Sequence, residues 1–287
     1  MRIGSEEHKQ LFCQSFLDSH RLYEPAEMNW PQLDSTTLER LRSIPFWEEA
    51  LYTERKAGAM LKAYAETVED PLIREAIALQ GREEARHGRL IQYLINHYGI
   101  ELPPKPDRPV PANIEPAFIK FGYGECFDSF FAFGLFEIAR QAGLMPEVFF
   151  TIFDPILDEE ARHMVFFINW INYRLEARGT GALRGINAFS QYVGALQRRL
   201  DNLQGMGQKK GKSQNKKGFT ATGAKSLTLD LSLEKFLTTC LEENAKRMSV
   251  YDERLLKPEF LPIMTGVALN VIRLLPKRKS RPVADPA

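Results

Sequence analysis

The five-residue string Glu-Glu-Ala-Arg-His occurs twice in the chain, at 83–87 and again at 159–163. In an α-helix, residues three positions apart lie on one face, so Glu84 with His87 and Glu160 with His163 each present a carboxylate beside an imidazole. One such pair is common on helix surfaces. Two pairs, joined by one inward glutamate from each of two further helices, form the ligand set of a carboxylate-bridged dimetal centre in a four-helix bundle.

The residue types indicate which metal such a centre would take. Carboxylates combined with imidazoles favour iron or manganese, whereas oxygen ligands alone favour magnesium or calcium, and thiolates favour zinc. The flanking residues suit a supporting role: we expect Glu83 and Glu159 to accept hydrogen bonds from the outer histidine nitrogens, with Arg86 and Arg162 neutralising them. The alternative is that Glu83 and Glu159 lie on a solvated face.

Hydrophobic periodicity predicts the helices that must position these side chains. Steps of three and four predict a helix over 46–67 in which Glu54 lies within an apolar stripe. Asp70 and Pro71 then begin a second helix, which carries the first string and ends near Gly99. Glu54 and Glu84 each lie about fifteen residues from the turn. If the two helices pack antiparallel, both glutamates are therefore at the same height along the helix axes.

The segment over 99–116 contains six prolines, which exclude a helix and indicate extended chain. At ~3.1 Å per residue it spans roughly 50 Å, more than the ~35 Å of a helix of about 23 residues. We therefore predict a long crossover between the second and third helices. A third helix over about 117–142 and a fourth over about 146–178 follow, and Pro155 is expected to bend or break the fourth.

The third helix offers three carboxylates for the remaining ligand. Glu125 precedes Glu160 by 35 residues, comparable to the 30 that separate Glu54 from Glu84, and is the first choice. Asp128 is the second choice. Glu137 is the third, because it precedes Glu160 by 23 residues and points about 120° away from the stripe of Glu125. The predicted metal ligands are Glu54, Glu84, His87, Glu125, Glu160 and His163.

This order of ligands resembles the ferritin-like superfamily of di-iron carboxylate proteins, which includes rubrerythrins, ribonucleotide reductase small subunits, acyl-carrier desaturases and bacterial multicomponent monooxygenases. The resemblance covers about 46–178, and the stretch from Gly124 to His163 is most similar to the monooxygenase hydroxylase subunits. It implies an all-α, ferritin-like four-helix bundle with N- and C-terminal helical extensions. It also implies two iron ions, or manganese, or a mixed pair, and makes Ser129 a candidate active-site hydroxyl. A radical tyrosine is not expected, since Ile91 follows His87 by one turn.

The predicted function is that of a di-iron oxidoreductase that activates dioxygen to oxidise or oxygenate a small, hydrophobic organic substrate. Electrons would come from a donor such as a ferredoxin or a reductase, and homodimerisation is left open. The alternative is a non-oxygenase role in iron handling or peroxide scavenging. Reaction type rests on analogy here, because one fold carries many functions.

Composition sets the outer limits. Apolar residues make up 44% of 287, enough for a substantial core, and a net charge of +1 argues against a nucleic-acid or membrane-surface binder. The three cysteines are far apart, which suggests neither disulfides nor a thiolate zinc site and favours the reducing cytoplasm. Neither a signal peptide nor a membrane span is expected from the sequence.

The predicted organisation has six parts: a helical extension over 1–45, the dimetal bundle over 46–180, an additional helix over 181–204, a flexible basic linker over 205–227, C-terminal helices over 228–276 and a basic tail over 277–287. The apolar segment over 260–275 is expected to cover the bundle or a partner subunit, with membrane-surface contact as the minor interpretation. The basic runs lack interleaved aromatic residues, so no nucleic acid is expected. His8, His20 and His97 show no partner pattern and are expected to have no functional role.

Overall fold

The structure is a computed structural model that describes residues 1–103, 106, 109–208 and 232–274, with only the backbone described over 202–208. These residues form nine α-helices and two short 3-10 helices and contain no strand, so the prediction of an all-α class is confirmed. The α-helices are α1 (Glu6–Asp18), α2 (Ser35–Ser43), α3 (Trp47–Ala65), α4 (Pro71–His97), α5 (Ile114–Gln141), α6 (Glu147–Ala177), α7 (Arg184–Gln208), α8 (Leu233–Met248) and α9 (Phe260–Leu274). The 3-10 helices are Pro25–Glu27 and Gly181–Leu183.

Helices α3 and α4 pack closely against each other because small residues line their contact. A Cβ atom on Gly58 would lie 3.0 Å from the backbone nitrogen of Ala85 and 3.1 Å from the carbonyl oxygen of Gly81. Further along, a Cβ atom on Gly88 would lie 3.5 Å from the Cβ of Glu54. The pair is therefore antiparallel, with Glu54 level with the first Glu-Glu-Ala-Arg-His string, as the spacing from the turn predicts.

Local signals in the sequence set the ends of α4. The Asp70 carboxylate accepts hydrogen bonds from the backbone nitrogens of Leu72 (3.0 Å) and Ile73 (3.1 Å), and Pro71 occupies the first helical position. Past the last turn, Gly99 has a φ of +59°, a left-handed conformation that glycine adopts without the strain of a side chain. The chain then passes through the proline-rich segment before α5 begins.

Helix α6 continues without a break through Pro155, in contrast to the bend or break that the sequence predicts. A proline inside a helix removes one backbone donor and crowds the preceding turn. Flanking residues Ile152, Phe153 and Leu157 are all buried, and α6 packs against α1, α4, α5 and α8. We attribute the continuity of α6 to this packing, which holds both sides of Pro155 in place.

The remaining helices cover the central four. Helix α1 packs against α4 and α6 and buries Phe12 and Phe16 in the core, so the N-terminal extension contributes more than an outer cover. Helices α7 and α8 pack against α5, and α9 packs against α8. The predicted linker beyond 208 and the predicted basic tail lie outside the described residues, whereas the first residues of that linker, 205–208, belong to α7. Among the described helices, none has both the length and the apolar composition needed to cross a bilayer.

Two apolar layers enclose the acidic residues of α3 and α4. One layer includes Leu61 and Ile77, and the other includes Leu51, Leu90 and Leu94. Glu54 lies between them on α3, as do Glu84 and His87 on α4. Carboxylates buried between apolar layers are costly unless they are neutralised, so this arrangement calls for a compensating charge.

Candidate metal centre

The six predicted ligands come together in one buried cluster, each contributed by one of the four central helices. Helix α3 supplies Glu54, α5 supplies Glu125, and α4 and α6 each supply one Glu-x-x-His pair. The cluster divides into two groups in which one ligand atom per residue lies within 4.8 Å of the others: Glu54, Glu84, His87 and Glu160, and Glu84, Glu125, Glu160 and His163. Since Glu84 and Glu160 belong to both groups, we call the groups the His87 position and the His163 position.

The two imidazoles face the carboxylates through their Nδ1 atoms. His87 Nδ1 lies 3.5 Å from Glu160 Oε1 and 3.7 Å from Glu54 Oε2. His163 Nδ1 lies 3.0 Å from Glu84 Oε1 and 3.8 Å from Glu125 Oε1. The two rings are 5.9 Å apart, centroid to centroid, and both are fully buried.

Three of these converging atoms are buried and form no hydrogen bond of acceptable geometry: His87 Nδ1, His163 Nδ1 and Glu84 Oε1, the last two lying 3.0 Å apart. Buried polar atoms normally find a partner, because leaving one unpaired costs about 1–3 kcal/mol. Two imidazole nitrogens and a carboxylate oxygen that point at a common space are matched by a cation and not by another donor. The donor set therefore fits a pair of divalent metal ions, with iron or manganese as the best chemical match.

Protonation within the cluster reflects the crowding of four carboxylates. The pKa of Glu54 is raised to about 8, first by burial and then by the negative charges of Glu84 and Glu160. Burial and the charge of Glu84 likewise raise the pKa of Glu125. Burial opposes ionisation of both histidines, but the surrounding carboxylates prevail and raise the pKa of His87 and of His163. In the absence of other cations, the cluster is thus neutralised by protons, which metal ions would replace.

A second layer of charges lies on the outer side of the histidines, and its hydrogen bonds cross between the two strings. Glu83 accepts from His163 Nε2 at 2.9 Å and from Arg162, both of the second string. Glu159 accepts from His87 Nε2 at 2.8 Å and from Arg86 Nη2 at 2.5 Å, both of the first string. An ionised carboxylate only accepts, so each Nε2 carries a proton, and Nδ1 is the ring atom that a metal ion could bind once it has displaced the proton there.

His20 and Tyr23, from the segment after α1, complete this outer layer. His20 Nδ1 lies 2.6 Å from Glu83 Oε1, and the Tyr23 hydroxyl donates to Glu159 Oε2 at 3.0 Å. The Arg86 guanidinium stacks 4.0 Å from the centre of the Tyr23 ring. His20, Glu83 and Glu159 also lie close enough together to resemble a metal site, but the two arginines already balance both carboxylates.

The structure distinguishes the three carboxylates considered on α5. Glu125 lies in the cluster, where Gln80 Nε2 donates to its Oε2 at 3.1 Å. Asp128 instead accepts from Arg199 Nε of α7 at 2.8 Å, and Glu137 accepts from Gln141 Nε2 at 2.8 Å. Neither Asp128 nor Glu137 belongs to a group around the histidines.

Ser129 lies one turn beyond Glu125 and contacts the cluster directly. Its hydroxyl donates to Glu160 Oε2 at 2.9 Å, and the side chain is buried. This contact fixes one oxygen of a carboxylate that both metal positions share. A hydroxyl in this location orients Glu160 and also faces the adjoining cavity.

A cavity of about 560 Å³ adjoins the cluster. Glu54, Glu84, Glu125 and Glu160 form part of its wall, and most of the rest is apolar, including Trp47, Ile91, Phe136 and Phe153. Its volume is within the ~300–1,000 Å³ typical of small-molecule sites. The carboxylate cluster is therefore accessible to a ligand of moderate size from an apolar space.

Three residues of the site were not assigned a role from the sequence. Gln80 is a polar residue in the otherwise apolar inward stripe of α4, one turn before Glu84, and this interruption is a signal that could have been used. His20 and Tyr23 carry no such signal, because only the folding of the N-terminal segment onto α4 and α6 brings them to the strings. No protein-family model, no curated protein and no solved structure matches this chain, so the functional argument depends on the geometry of the site.

Proposed function

We propose that the chain is a dimetal carboxylate oxidoreductase that binds two iron ions and uses dioxygen to oxidise a small hydrophobic substrate. One observation carries this proposal: the six-residue cluster, with its unpaired buried ligand atoms, lies directly beside a mostly apolar cavity of about 560 Å³. A buried metal cluster alone would suit a purely structural site, and an apolar cavity alone would suit a binding protein. Together they fit a metal centre that acts on an apolar ligand.

In this proposal the four helices α3 to α6 form a ferritin-like bundle, and the proline-rich segment is its long crossover. Glu54 and His87 would hold one ion, Glu125 and His163 the other, and Glu84 and Glu160 both. The three cysteines are buried free thiols, which agrees with the reducing cytoplasm that we propose as the location.

The metal pair would supply the electrons that dioxygen needs and would hold it beside the substrate. The protein residues have separate tasks. Glu83 and Glu159 hold the histidines in the tautomer that presents Nδ1, and Ser129 holds Glu160 in place. The apolar wall excludes water and orients the substrate. An oxygenation would insert one oxygen atom into a C–H bond and release the other as water, with two electrons and two protons drawn from an outside donor such as a ferredoxin or reductase.

Iron handling or peroxide scavenging remains the competing function for the same cluster. Storage needs a polar route along which hydrated iron reaches the centre. The space beside this cluster is instead walled mostly by apolar side chains. We therefore favour an organic substrate.

Elemental analysis of protein made in iron-replete cells tests the centre. We expect about two iron ions per chain in the parent protein and nearly none in Glu84→Ala, which loses a ligand shared by both positions. The matched control is Glu75→Ala, which removes an exposed glutamate of the same helix and should keep the full iron content. A folded parent protein without metal, or full iron in Glu84→Ala, would refute the proposed centre.

Oxygen consumption then tests the reaction. The reduced, iron-loaded protein should consume dioxygen and oxidise apolar compounds, while Glu84→Ala should do neither. Ser129→Ala should retain about two iron ions per chain but oxidise substrate more slowly. Removal of added peroxide without any organic product would instead support the scavenging function.

A further inference from the structure

The cavity beside the metal centre has a basic end. Four of its lining residues are cationic: Lys56 on α3, Lys120 on α5, and Arg198 and Arg199 on α7. They contrast with the apolar residues that form most of the remaining wall. The helix α7, which the predicted four-helix unit does not include, thus contributes two charges to the cavity.

The positions along α3 and α5 give the cavity a direction. On α3 the order is Lys56, Glu54, Ala50 and Trp47, and on α5 it is Lys120, Glu125, Ala132 and Phe136. Along the helix axes, Lys56 lies about 3 Å from Glu54, and Lys120 lies about 8 Å from Glu125. On both helices the lining lysine therefore lies on one side of the carboxylate cluster, among apolar residues such as Met60 and Ala117, and no lysine or arginine of these helices lines the cavity on the other side.

Only one of the four cations has its charge balanced. Arg199 donates to both carboxylate oxygens of Asp128 and to the carbonyl oxygen of Gly124. Within the part of the chain that the structure describes, Lys56, Lys120 and Arg198 have no ion pair and donate no hydrogen bond.

The unbalanced cations also act on one another. Partial desolvation lowers the pKa of Lys120, and the positive charges of Arg198 and Lys56 lower it further. Partial desolvation and the charge of Arg199 lower the pKa of Arg198, and the negative charge of Asp128 only partly opposes them. Three like charges around one space are a site that a bound anion would stabilise, because the anion relieves their repulsion.

We propose that the substrate is an amphipathic carboxylic acid, whose carboxylate binds Lys56, Lys120 and Arg198 while its apolar chain passes the metal centre toward Trp47 and Phe136. This inference rests on the proposed function for the reaction but not for the binding. It makes a further prediction about regiochemistry: oxidation occurs at the carbon atoms of the chain that pass the carboxylate cluster, since the head group is held at one end of the cavity.

Binding of decanoate, compared with its neutral counterpart decanamide, tests the proposal. Both are titrated calorimetrically into iron-loaded protein kept free of oxygen and into metal-free protein. We expect decanoate to bind at least about tenfold more tightly than decanamide in both forms, a difference of ~1.4 kcal/mol. The preference should weaken as salt is raised, because partly exposed charges are screened.

The double variant Lys56→Gln/Lys120→Gln should lose most of the preference, since only Arg198 of the three cations remains, and the single variant Lys120→Gln should show an intermediate preference. Because Lys120 is exposed, the single variant provides a test with little risk to folding. Lys62→Gln is the matched control, since Lys62 is an exposed lysine of α3 that does not line the cavity, and its preference should be unchanged.

Equal binding of decanoate and decanamide by the parent protein would overturn the proposal, and so would a preference that is undiminished in the double variant. A preference present only with iron and unaffected by the lysine variants would mean that the carboxylate binds the metals, which also contradicts the inference. Failure of the proposed function is distinguishable, because protein that takes up no iron but still prefers decanoate retains the anion site without the metal centre.

Discussion

The two candidate metal positions share a repeated sequence but not their surroundings. At both, the histidine and the arginine of one string donate to the first glutamate of the other string. The unshared ligands differ: Glu54 has a side chain 20% exposed beside the cavity, whereas Glu125 is 9% exposed and accepts a hydrogen bond from Gln80. The repeat thus sets the ligand geometry, and residues outside the repeat make the two positions unequal.

The crossing of the hydrogen bonds has a structural consequence. Because each outer glutamate binds the opposite string, the pairs join α4 to α6 on the outer side of the histidines. All four charged groups are buried, and removing one partner of such a pair leaves an uncompensated charge. The outer layer therefore ties α4 to α6 through groups that cannot be removed singly without a large cost, while the inner layer keeps the atoms that could bind metal ions.

Replacing one histidine at a time gives the largest expected effect and tests whether the positions are separate. His87→Ala and His163→Ala each remove an unshared ligand, so each should retain about one iron ion per chain out of two. Iron content by elemental analysis is the measurement. His97→Ala, which changes an exposed histidine at the end of α4, should retain both ions.

Loss of both ions from either histidine variant would show that the positions fill only together, and retention of both would show that the imidazoles are not ligands. The first result would keep the centre but remove the distinction between its two positions. The second would contradict the assignment of Nδ1 as the inward ligand atom.

The outer glutamates should have the next largest effect, and an equal one. Glu83→Gln and Glu159→Gln each remove the charge that orients a histidine, so the apparent iron affinity should fall about 10–100-fold. Each variant also leaves a buried arginine without its counter-charge, which we expect to cost up to about 3–5 kcal/mol of stability. Iron titration and thermal unfolding measure the two effects.

Glu75→Gln, on the exposed face of α4, is the control for both measurements. If one outer glutamate proves much more important than the other, the symmetry inferred from the crossed hydrogen bonds would be wrong. Unchanged affinity in both variants would reduce the outer layer to a structural role.

The inner ligands could be predicted from the sequence because they depend on helical spacing alone. Two of the signals are local: the three-residue step within each string, and the apolar stripes around Glu54 and Glu84. The turn at Asp70 then fixes which residues of α3 lie beside which residues of α4. The spacing of 35 residues from Glu160 makes Glu125 the first choice on α5, and the structure places it in the cluster. The partner that occupies Asp128, Arg199, lies on α7 and is 71 residues further along the chain.

The outer layer was only partly predictable, because its pairing depends on packing between distant segments and not on helical spacing alone. Adjacent positions in the sequence indicated that Glu83 and Glu159 support the histidines, but not that each supports the histidine of the other string. That pairing depends on how α4 faces α6. The contributions of His20 and Tyr23 depend on where the N-terminal segment packs, and the basic end of the cavity depends on where α7 packs, so no local pattern reveals them.

A variant of Gln80 should affect one position and leave the other unchanged. Gln80→Leu keeps a similar volume but removes the donor to Glu125, and a hydrogen bond to a charged group contributes about 1.5–3 kcal/mol. We therefore expect roughly a tenfold or greater loss of affinity at the His163 position only, since 1.4 kcal/mol corresponds to about tenfold. A two-step metal titration should show one weakened step.

Gln92→Leu is the control, because Gln92 lies on the same helix but bonds Arg55 and Asn96 at the surface. Weakening of both steps by Gln80→Leu would mean that the two positions are coupled through their shared carboxylates. In that case the difference between Glu54 and Glu125 would not translate into different affinities.

The smallest expected effect comes from the hydroxyl of Tyr23, and it tests whether the outermost donors act on the metals or only on the fold. Tyr23→Phe keeps the ring under Arg86 but removes the hydrogen bond to Glu159. The free energy of unfolding should fall by about 1 kcal/mol, a decrease of roughly 2–4 °C in Tm, with iron content unchanged. Arg86 and His87 still hold Glu159 in this variant, which is why we expect the centre to tolerate the change. A loss of iron confined to the His87 position would instead show that the Tyr23 hydroxyl acts on that position through Glu159.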